Sequence, residues 1–339
     1  MNRILIALLL CLAATPPSPT ANVKPRVSLQ PSLRYGFGET EYVLDARWYD
    51  DEGVLQHLKS QLEFPLDGLY AGLEGRVRWN PASTKPWDSK LSVSTNLSDP
   101  AGDMTDRDWS TFWESGSETF YLPSFTELSS TVSSAESRSW VVAAEVGKVL
   151  AAGPKGSIRL FAGYRYQHIA QKAIGISGWQ MVNVGGELVK GYFDGSRDGT
   201  TFIDYEVTFH SPQAGLGLSL AVTDRAAVAA RAAYAPVFAS DRDDHVVRNF
   251  LSEASINGHG VIGEAEVEWE LGRGDSWGLF LSAGGEFLYF SASGTGTQFY
   301  YGDDPGTRNE DETGQYAAGV PHEIHTTQGR VGLGLALRF

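Results

Sequence analysis

The chain ends in VGLGLALRF, residues 331–339, in which a large apolar residue occupies every second position and Phe339 comes last. Because successive side chains of a β-strand point to opposite faces, this stretch predicts a strand with one apolar face. Such a strand at the end of a chain is typical of the strand that closes an outer-membrane β-barrel. No stretch after residue 21 is apolar for the roughly 20 residues that a membrane helix needs, so any membrane-spanning part is expected to consist of strands.

The first residues predict a signal peptide. A positively charged start is followed by an apolar segment at 4–14 and a Pro-rich segment at 15–21 that ends in a small residue. The apolar segment is too short to cross a bilayer as a helix. We therefore expect residues 1–21 to be removed during export and residues 22–339 to form the barrel. Cys11 is the only cysteine, so the exported protein would contain neither a disulfide nor a cysteine nucleophile.

Alternation of apolar and polar residues, interrupted by turn residues, predicts an all-β fold of ten antiparallel strands. The predicted strands lie near 27–44, 54–80, 88–97, 124–150, 156–174, 202–222, 226–240, 249–271, 276–293 and 322–339. Short turns at 81–87, 151–155, 223–225 and 272–275 alternate with long loops at 45–53, 98–123, 175–201, 241–248 and 291–321. This asymmetry is typical of a transmembrane barrel with long extracellular loops. Several strands exceed the roughly 9–11 residues that cross a bilayer, so the barrel should project beyond the membrane.

The charge of the chain limits its partners. The formal net charge is −14, which argues against nucleic acid because phosphate binding needs a basic surface. Most clustered acidic residues fall in the predicted long loops, so one mouth of the barrel should be strongly negative and should attract cationic ligands. The acidic loops could equally serve only solubility. A closed barrel leaves no free strand edge, so we expect a monomer.

Two short motifs place ionisable groups at junctions between strands and long loops. They are Asp106-Arg107-Asp108-Trp109 and Asp241-Arg242-Asp243-Asp244-His245. In extended chain, residues i and i+2 face the same way, so each motif gathers two side chains in one space. Two close carboxylates raise the pKa of one of them, which suits a proton store or a water site. An Asp beside a His suits a general base, although either motif alone is more often a solvated acidic surface.

Two further segments accompany these motifs. They are Lys59-Ser60-Gln61-Leu62-Glu63-Phe64 on the second predicted strand and Phe161-Ala162-Gly163-Tyr164 on the fifth. In this order and spacing, over most of its length, the chain resembles the omptin family of outer-membrane endopeptidases. The resemblance implies two catalytic pairs that face each other and activate a water molecule for attack on a peptide carbonyl. The pairs are Asp106 with Asp108 and Asp243 with His245. It also implies an aspartic-type endopeptidase with no covalent intermediate, no cofactor and no metal.

The same resemblance implies a pocket that receives Arg or Lys before the cleaved bond. Glu41 and Asp241 match its two acidic residues, which would complement a basic side chain through charge-assisted hydrogen bonds. Basic peptides or proteins are therefore the expected substrates. Glu114 and Glu118 match only loosely the acid that favours a basic residue after the cut, because 112–123 differs from the family in length and composition.

The resemblance also implies one lipid activator, lipopolysaccharide, which omptins hold on the outer wall through basic residues. At the matching places this chain has Tyr166, His168 and Thr208. Since only a protonated His168 carries charge, we expect the lipopolysaccharide requirement to be lost or altered. The expected location is the outer membrane of a Gram-negative-type bacterium, with the site facing the exterior.

Other interpretations stay open on the sequence. The barrel could be a catalytically silent adhesin or ligand-binding scaffold, because its loops depart from the family pattern. A diffusion porin is disfavoured, since open channels take about 16–18 strands and ten enclose a narrow lumen. His322, Glu323 and His325 do not predict a metal site, because their spacing places the two histidines on opposite faces of a strand.

Overall fold

The computed structural model describes residues 24–50, 53–115, 118–194, 199–305 and 311–339. Its strands are β1 (Arg26–Tyr49), β2 (Leu55–Pro65), β3 (Gly68–Trp79), β4 (Trp87–Asn96), β5 (Asp103–Ser115), β6 (Glu118–Gly153), β7 (Gly156–Val184), β8 (Glu187–Phe193), β9 (Thr201–Ala221), β10 (Ala226–His245), β11 (Phe250–Arg273), β12 (Gly278–Tyr300) and β13 (Tyr316–Arg338). A 3₁₀ helix, Val246–Arg248, separates β10 from β11. No helix within these ranges is long and apolar enough to cross a membrane. The predicted signal peptide at 1–21 lies outside the described residues.

The strands close into an antiparallel ring of ten. The order around the ring is β1, β3, β4, β6, β7, β9, β10, β11, β12 and β13, and β13 pairs with β1 again. In the closing pair, Ser28 lies opposite Arg338 and Val43 lies opposite Glu323. The all-β, ten-stranded barrel predicted from the sequence is therefore confirmed, with the last strand as the closing one.

The wall formed by the second and third predicted strands is built in two tiers, which the sequence did not predict. The predicted strand at 54–80 is broken at 66–67, so that β3 pairs with the first half of β1 and β2 pairs with its second half. Pro65 ends β2 because a proline cannot donate a ladder hydrogen bond. β5 falls within the predicted loop at 98–123, yet it stands above β4 and pairs with β2 and β6. Most of that segment is therefore strand.

Side chains join the two tiers at the level where neither β4 nor β5 pairs with β6. Asn96 Oδ1 accepts from the Ser139 amide at 2.7 Å, and Asn96 Nδ2 donates to the Ser137 carbonyl at 2.6 Å. Asp99 Oδ1 accepts from the Ser137 amide at 3.0 Å. These contacts satisfy backbone groups of β6 that have no ladder partner at this seam.

Further predicted loops are largely strand as well. β1 runs on to Tyr49, β12 runs on to Tyr300, and β7 continues to Val184 before the chain folds back as β8. The β7–β8 turn is Gly185-Gly186, with φ values of 65° and 93°, the positive φ angles that a two-residue hairpin of this kind needs. The extensions of β1 and β12 mix polar, small and aromatic residues without regular alternation, so they lack the apolar pattern that identifies a strand in a sequence.

An apolar layer crosses the lumen below the long hairpins. Its side chains are fully buried and come from strands around the ring: Leu62, Phe64, Val207, Phe209, Ile256, Leu288, Phe290 and Ile324. Below this layer the lumen holds buried ion pairs, including two hydrogen bonds of 3.0 Å between Arg165 and Glu286. The mouth above the layer is therefore a cleft with an apolar floor.

The outer wall carries an apolar belt at the level of these buried ion pairs. Its exposed side chains include Leu29, Leu33, Leu218, Val331, Leu333 and Leu335. Trp269 and Trp277 lie exposed near the short-turn end, and Trp140 and Phe238 lie at the other edge of the belt. Beyond Phe238 the outward residues of β10 are polar. This pattern fits a membrane span with aromatic girdles and strands that project past it.

Removing the Glu286 carboxylate is expected to destabilise the barrel strongly. Glu286 is buried between Arg165 and Arg330, whose Nη1 lies 3.7 Å from its Oε1, so a Glu286→Ala variant leaves two buried cations unpaired. We expect a loss of about 3–5 kcal/mol in the free energy of unfolding. Urea unfolding of the refolded barrel measures it. The matched control is Glu270→Ala, whose partner Arg273 is exposed and whose loss should cost less than about 1 kcal/mol. Equal stability of the two variants would contradict the expectation.

Candidate active site

β10 carries the acid–histidine pair to the rim of the barrel. Its odd-numbered residues face the lumen, so Asp241, Asp243 and His245 follow one another up the inner wall. The strand ends at His245 because the chain turns into the 3₁₀ helix, which closes at Asn249 in the left-handed conformation (φ 53°). Asp243 and His245 therefore lie at the upper end of the inward-facing residues of β10, at the open mouth of the barrel.

Asp243 and His245 are hydrogen-bonded to each other. His245 Nε2 lies 3.1 Å from Asp243 Oδ2, and Asp243 is only 1% exposed. Since the carboxylate oxygen accepts, Nε2 carries the hydrogen and Nδ1 is left as the basic nitrogen. Burial lowers the pKa of His245, but the charge of Asp243 and its hydrogen bond raise it more, so the pKa lies above its ordinary value. The pair has the form of an oriented general base.

β5 carries the two carboxylates of the other motif on its inner face. Asp108 Oδ2 accepts a hydrogen bond from Ser129 Oγ at 2.7 Å. Asp106 Oδ1 is buried, and no described residue donates to it. Burial, followed by the negative charge of Asp108, raises the pKa of Asp106 to about 8. Asp106 therefore keeps its proton at neutral pH.

The structure brings the two pairs into electrostatic contact across the cleft. β5 lies between β2 and β6, whereas β10 lies between β9 and β11 on the far side of the ring. The charge of His245 lowers the pKa of Asp106, and the charge of Asp106 raises the pKa of His245. The imidazole of His245 and a protonated Asp106 thus face one another above the apolar floor.

Asp241 lies two residues before Asp243 in the same inward row. It is 6% exposed, and no described side chain donates a hydrogen bond to either carboxylate oxygen. The backbone amides of Asp241 and Ala254 approach the carboxylate and lower its pKa. Burial, followed by the negative charge of Asp243, raises the pKa of Asp241 to about 8. Tyr205 lies nearby, and its buried hydroxyl has no hydrogen-bond partner among the described residues. A buried carboxylate without a charged or side-chain donor is costly unless a ligand supplies one.

Glu41 does not join Asp241, which corrects the predicted pocket. Glu41 lies opposite Glu63 on β2 and His325 on β13, and these positions face outward. The inward position of β1 is the next residue, Tyr42, which is 2% exposed and lies opposite the buried Leu62. Because side chains alternate along a strand, a carboxylate at residue 41 cannot reach the lumen. Of the two predicted pocket acids, the structure places Asp241 alone inside.

Arg248 is a charged neighbour of the site that the sequence analysis missed. It ends the 3₁₀ helix, and its Nε donates to Asp304 Oδ2 at 2.8 Å. Its charge lowers the pKa of both Asp106 and His245. Arg248 reaches the site only because the chain turns tightly after His245. No motif in the sequence predicts that turn.

Three of the remaining sequence-predicted residues lie away from the cleft. Tyr166, His168 and Thr208 face outward on β7 and β9, with His168 Nδ1 at 3.1 Å from Thr208 Oγ1. His322 faces inward and His325 faces outward, as their spacing predicts. The side chains of 114–119, and with them Glu114 and Glu118, lie outside the described part of the structure.

The fold and the site together define a class of protein, an outer-membrane β-barrel that gathers carboxylates and a histidine in its mouth. The sequence model of the Omptin family matches residues 27–329, and the chain belongs to this family. The family predicted from the motifs is thus confirmed. No curated protein sequence matches the chain significantly.

Comparison with solved structures also finds a protein of the same fold. The outer membrane protease OmpT from Escherichia coli superposes with a TM-score of 0.65 at 16% identity, over 96% of this chain and 99% of that chain. The translocator domain of the autotransporter NalP from Neisseria meningitidis gives a TM-score of 0.34 at 13% identity, over 98% and 93% of the two chains. The second value is too low to bear on function. Family membership and the shared OmpT fold support an outer-membrane protease.

Proposed function

We propose that the protein is an endopeptidase that cleaves exposed peptide chains after Arg or Lys. The observation that carries this proposal is Asp241, a buried carboxylate that no described side chain donates to, beside the hydrogen-bonded pair of Asp243 and His245. A guanidinium or ammonium group would supply charged donors and displace the proton that Asp241 holds when the pocket is empty. A basic side chain in this pocket would place the following peptide bond near His245.

The proposed reaction is direct attack by water. His245 Nδ1 takes a proton from the water as its oxygen bonds to the peptide carbonyl carbon, and Asp243 stabilises the imidazolium that forms. The proton that Asp106 holds is donated as a hydrogen bond to the developing oxyanion, with Asp108 beside it on the same face of β5. His245 then returns its proton to the leaving amine as the carbon–nitrogen bond breaks. All atoms are accounted for without an acyl-enzyme, a metal or a cofactor.

The acidic mouth supports the same substrate class. The described acids at this end include Asp45, Asp50, Asp99, Asp103, Asp244, Asp303, Asp304 and Glu312. Their summed field would draw cationic peptides towards the cleft, more weakly at high salt. We take this mouth to be the exterior side of the outer membrane, where basic host or competitor peptides would be met.

The direct test is cleavage of fluorogenic peptides with Arg-Arg, Lys-Arg, Arg-Ala or Ala-Ala at the centre by refolded protein. We expect cleavage after the first basic residue and none of the Ala-Ala peptide. The Arg-Arg to Arg-Ala ratio measures any preference after the cut. If folded protein cuts none of the four, the proposal fails and the adhesin or ligand-binding scaffold replaces it.

The pH profile of kcat/KM should be bell-shaped. Cleavage is expected to rise with pH through the pKa of His245, which lies above 6.5, because the base must be neutral. It should fall again near pH 8, where Asp106 loses its proton. Profiles of the native protein and Asp106→Asn check this, since the amide cannot ionise and the alkaline fall should disappear. An alkaline limb that persists in Asp106→Asn would contradict the assignment.

We further propose that lipopolysaccharide is not required for activity. The matching outer-wall positions, Tyr166, His168 and Thr208, bring no permanently charged cation to hold a lipid phosphate. Protein refolded in lipopolysaccharide-free detergent should therefore cut Arg peptides, with only a small gain when the lipid is added. A variant with His168→Arg and Thr208→Arg should gain a larger stimulation. Strict dependence of the native protein on the lipid would refute this proposal.

A further inference from the structure

Three buried polar side chains from three strands meet beside the Asp243 and His245 pair. Tyr42 of β1, Ser252 of β11 and His322 of β13 are 2%, 0% and 0% exposed. Tyr42 Oη lies 3.0 Å from His322 Nε2 and 3.2 Å from Ser252 Oγ, and Ser252 Oγ lies 3.2 Å from His322 Nε2. The proposed reaction uses none of these three groups, which we call the hydroxyl–imidazole trio.

β12 is shaped to admit the trio. Gly296 packs against the imidazole, and a Cβ at this position would lie 2.8 Å from His322 Cε1. Such a distance is shorter than any side chain tolerates, so a residue larger than glycine would displace the ring. The close approach indicates that the absence of a side chain at position 296 leaves the space that the His322 ring occupies.

The tautomer of His322 follows from its other nitrogen. Nδ1 lies 3.2 Å from the carbonyl oxygen of Val320, and a carbonyl can only accept, so Nδ1 carries the hydrogen and Nε2 accepts. Burial lowers the pKa of His322, which favours this neutral form. The hydroxyl hydrogens of Tyr42 and Ser252 are therefore both used within the trio. One goes to Nε2 and the other goes to the neighbouring hydroxyl oxygen.

Asp243 offers a competing acceptor to the same hydroxyls. Ser252 stands directly opposite Asp243 in the β10–β11 ladder, where side chains on one face have Cβ atoms about 5 Å apart. Asp243 Oδ2 binds His245, whereas Oδ1 is buried and has no donor within the described ranges. Ser252 and Asp243 are thus cross-strand neighbours, and the Ser252 hydrogen is used inside the trio while Asp243 Oδ1 has no donor among the described residues.

We propose that His322 is a positioning residue that holds the hydroxyl hydrogens of Ser252 and Tyr42 away from Asp243. Without this acceptor, a hydroxyl would donate to Asp243 Oδ1 and withdraw negative charge from the bond to His245. His245 would then be a weaker base. The catalytic meaning of this inference rests on the proposed function, but the basicity of His245 can be measured without any turnover.

Several other ionisable groups act on the same pair and must stay constant in a test. Asp106 and Asp108 lie on β5, Asp241 lies on β10, Tyr205 lies on β9 and Arg248 lies on the 3₁₀ helix. None of them contacts the trio through a hydrogen bond within the described residues. A change confined to His322 therefore leaves the remaining charges around His245 in place.

The test is His322→Phe, which keeps a buried planar ring but removes the acceptor. The titration of His245 is followed by NMR in refolded protein with isotope-labelled histidine, and a His245→Gln spectrum assigns its signal. We expect the midpoint of His245 to fall by about half a pH unit or more. The acid limb of kcat/KM should move to lower pH by the same amount. His322→Gln, whose Oε1 still accepts, should titrate like the native protein.

Removal of the hydroxyls should reverse the shift. In the triple variant His322→Phe, Ser252→Ala and Tyr42→Phe, no hydroxyl remains to reach Asp243, so the His245 midpoint should return to its native value. The double variant Ser252→Ala and Tyr42→Phe, with His322 retained, should leave the midpoint unchanged and serves even if His322→Phe does not fold. An unmoved midpoint in folded His322→Phe, or a moved one in the double variant, overturns the inference. Absence of peptide cleavage with the NMR shift intact would instead count against the proposed function alone.

Discussion

A His245→Ala variant is expected to lose cleavage of Arg-containing peptides, with kcat/KM lower by about 10³–10⁴-fold. His245 is the base in the proposed reaction, and a positioned general base contributes on the order of 10²–10⁴-fold. Loss of the imidazole also leaves the buried Asp243 without its hydrogen-bond partner. We therefore expect the loss of activity to lie in the upper part of that range. The measurement is initial-rate cleavage of the Arg-Ala peptide by protein shown to be folded.

A matched control distinguishes loss of catalysis from loss of activity caused by refolding a variant barrel. His259 is an exposed, outward-facing histidine on β11, and His259→Ala should cut at the native rate. Chelation with EDTA should also leave the native rate unchanged, because the proposed step uses no metal. Retained activity in His245→Ala, or its loss on chelation, would show that a different group activates the water.

The second large effect is expected at Asp241. Asp241→Asn keeps the size and burial of the side chain but removes the charge that would pair with Arg or Lys. Loss of one partner of a buried charge pair typically costs about 2–5 kcal/mol, so kcat/KM for Arg-Ala peptides should fall by about 10²–10³-fold. The loss should lie in substrate capture, and kcat/KM for Arg and Lys peptides should fall together.

Glu41→Gln is the matched control for the pocket, because it removes the other acid that the family resemblance assigns there. The structure puts Glu41 on the outer face beside Glu63, so the variant should cleave at close to the native rate. A large loss in Glu41→Gln with a small loss in Asp241→Asn would reverse the assignment. It would mean that β1 presents residue 41 to the lumen when substrate is bound.

Much of the fold could be predicted from the sequence because the apolar belt imposes alternation on every strand that crosses it. The closing strand at 331–339 and the short turns follow from that pattern and from Gly, Pro and Asp at the turns. The seam between β4 and β5 could not be predicted in this way. Its contacts at Asn96 and Asp99 are polar, and β5 above it carries polar and large apolar residues on both faces, so alternation does not identify it as a strand.

The site residues also divide into those that local spacing predicts and those that only the folded barrel brings together. Asp106 with Asp108 and Asp243 with His245 could be predicted because residues two apart share a face, a rule that survives in any strand. Glu41 was misplaced because the motif match did not fix which residue of β1 faces inward, and a one-residue difference reverses the face. The trio of Tyr42, Ser252 and His322 comes from strands far apart in sequence, so only the closed ring brings it together.

The seam at Asn96 and Asp99 has a consequence for how this barrel can change. Because the wall above it is a separate panel, β2 and β5, insertions at 97–102 would shift the proposed catalytic pair on β5 without altering the register of the belt strands. The opposite wall is continuous from the short turns to His245, and it holds the proposed base fixed. The width of the cleft, and hence the peptides that the proposed protease would admit, can thus diverge between relatives without a change in the strands that cross the membrane.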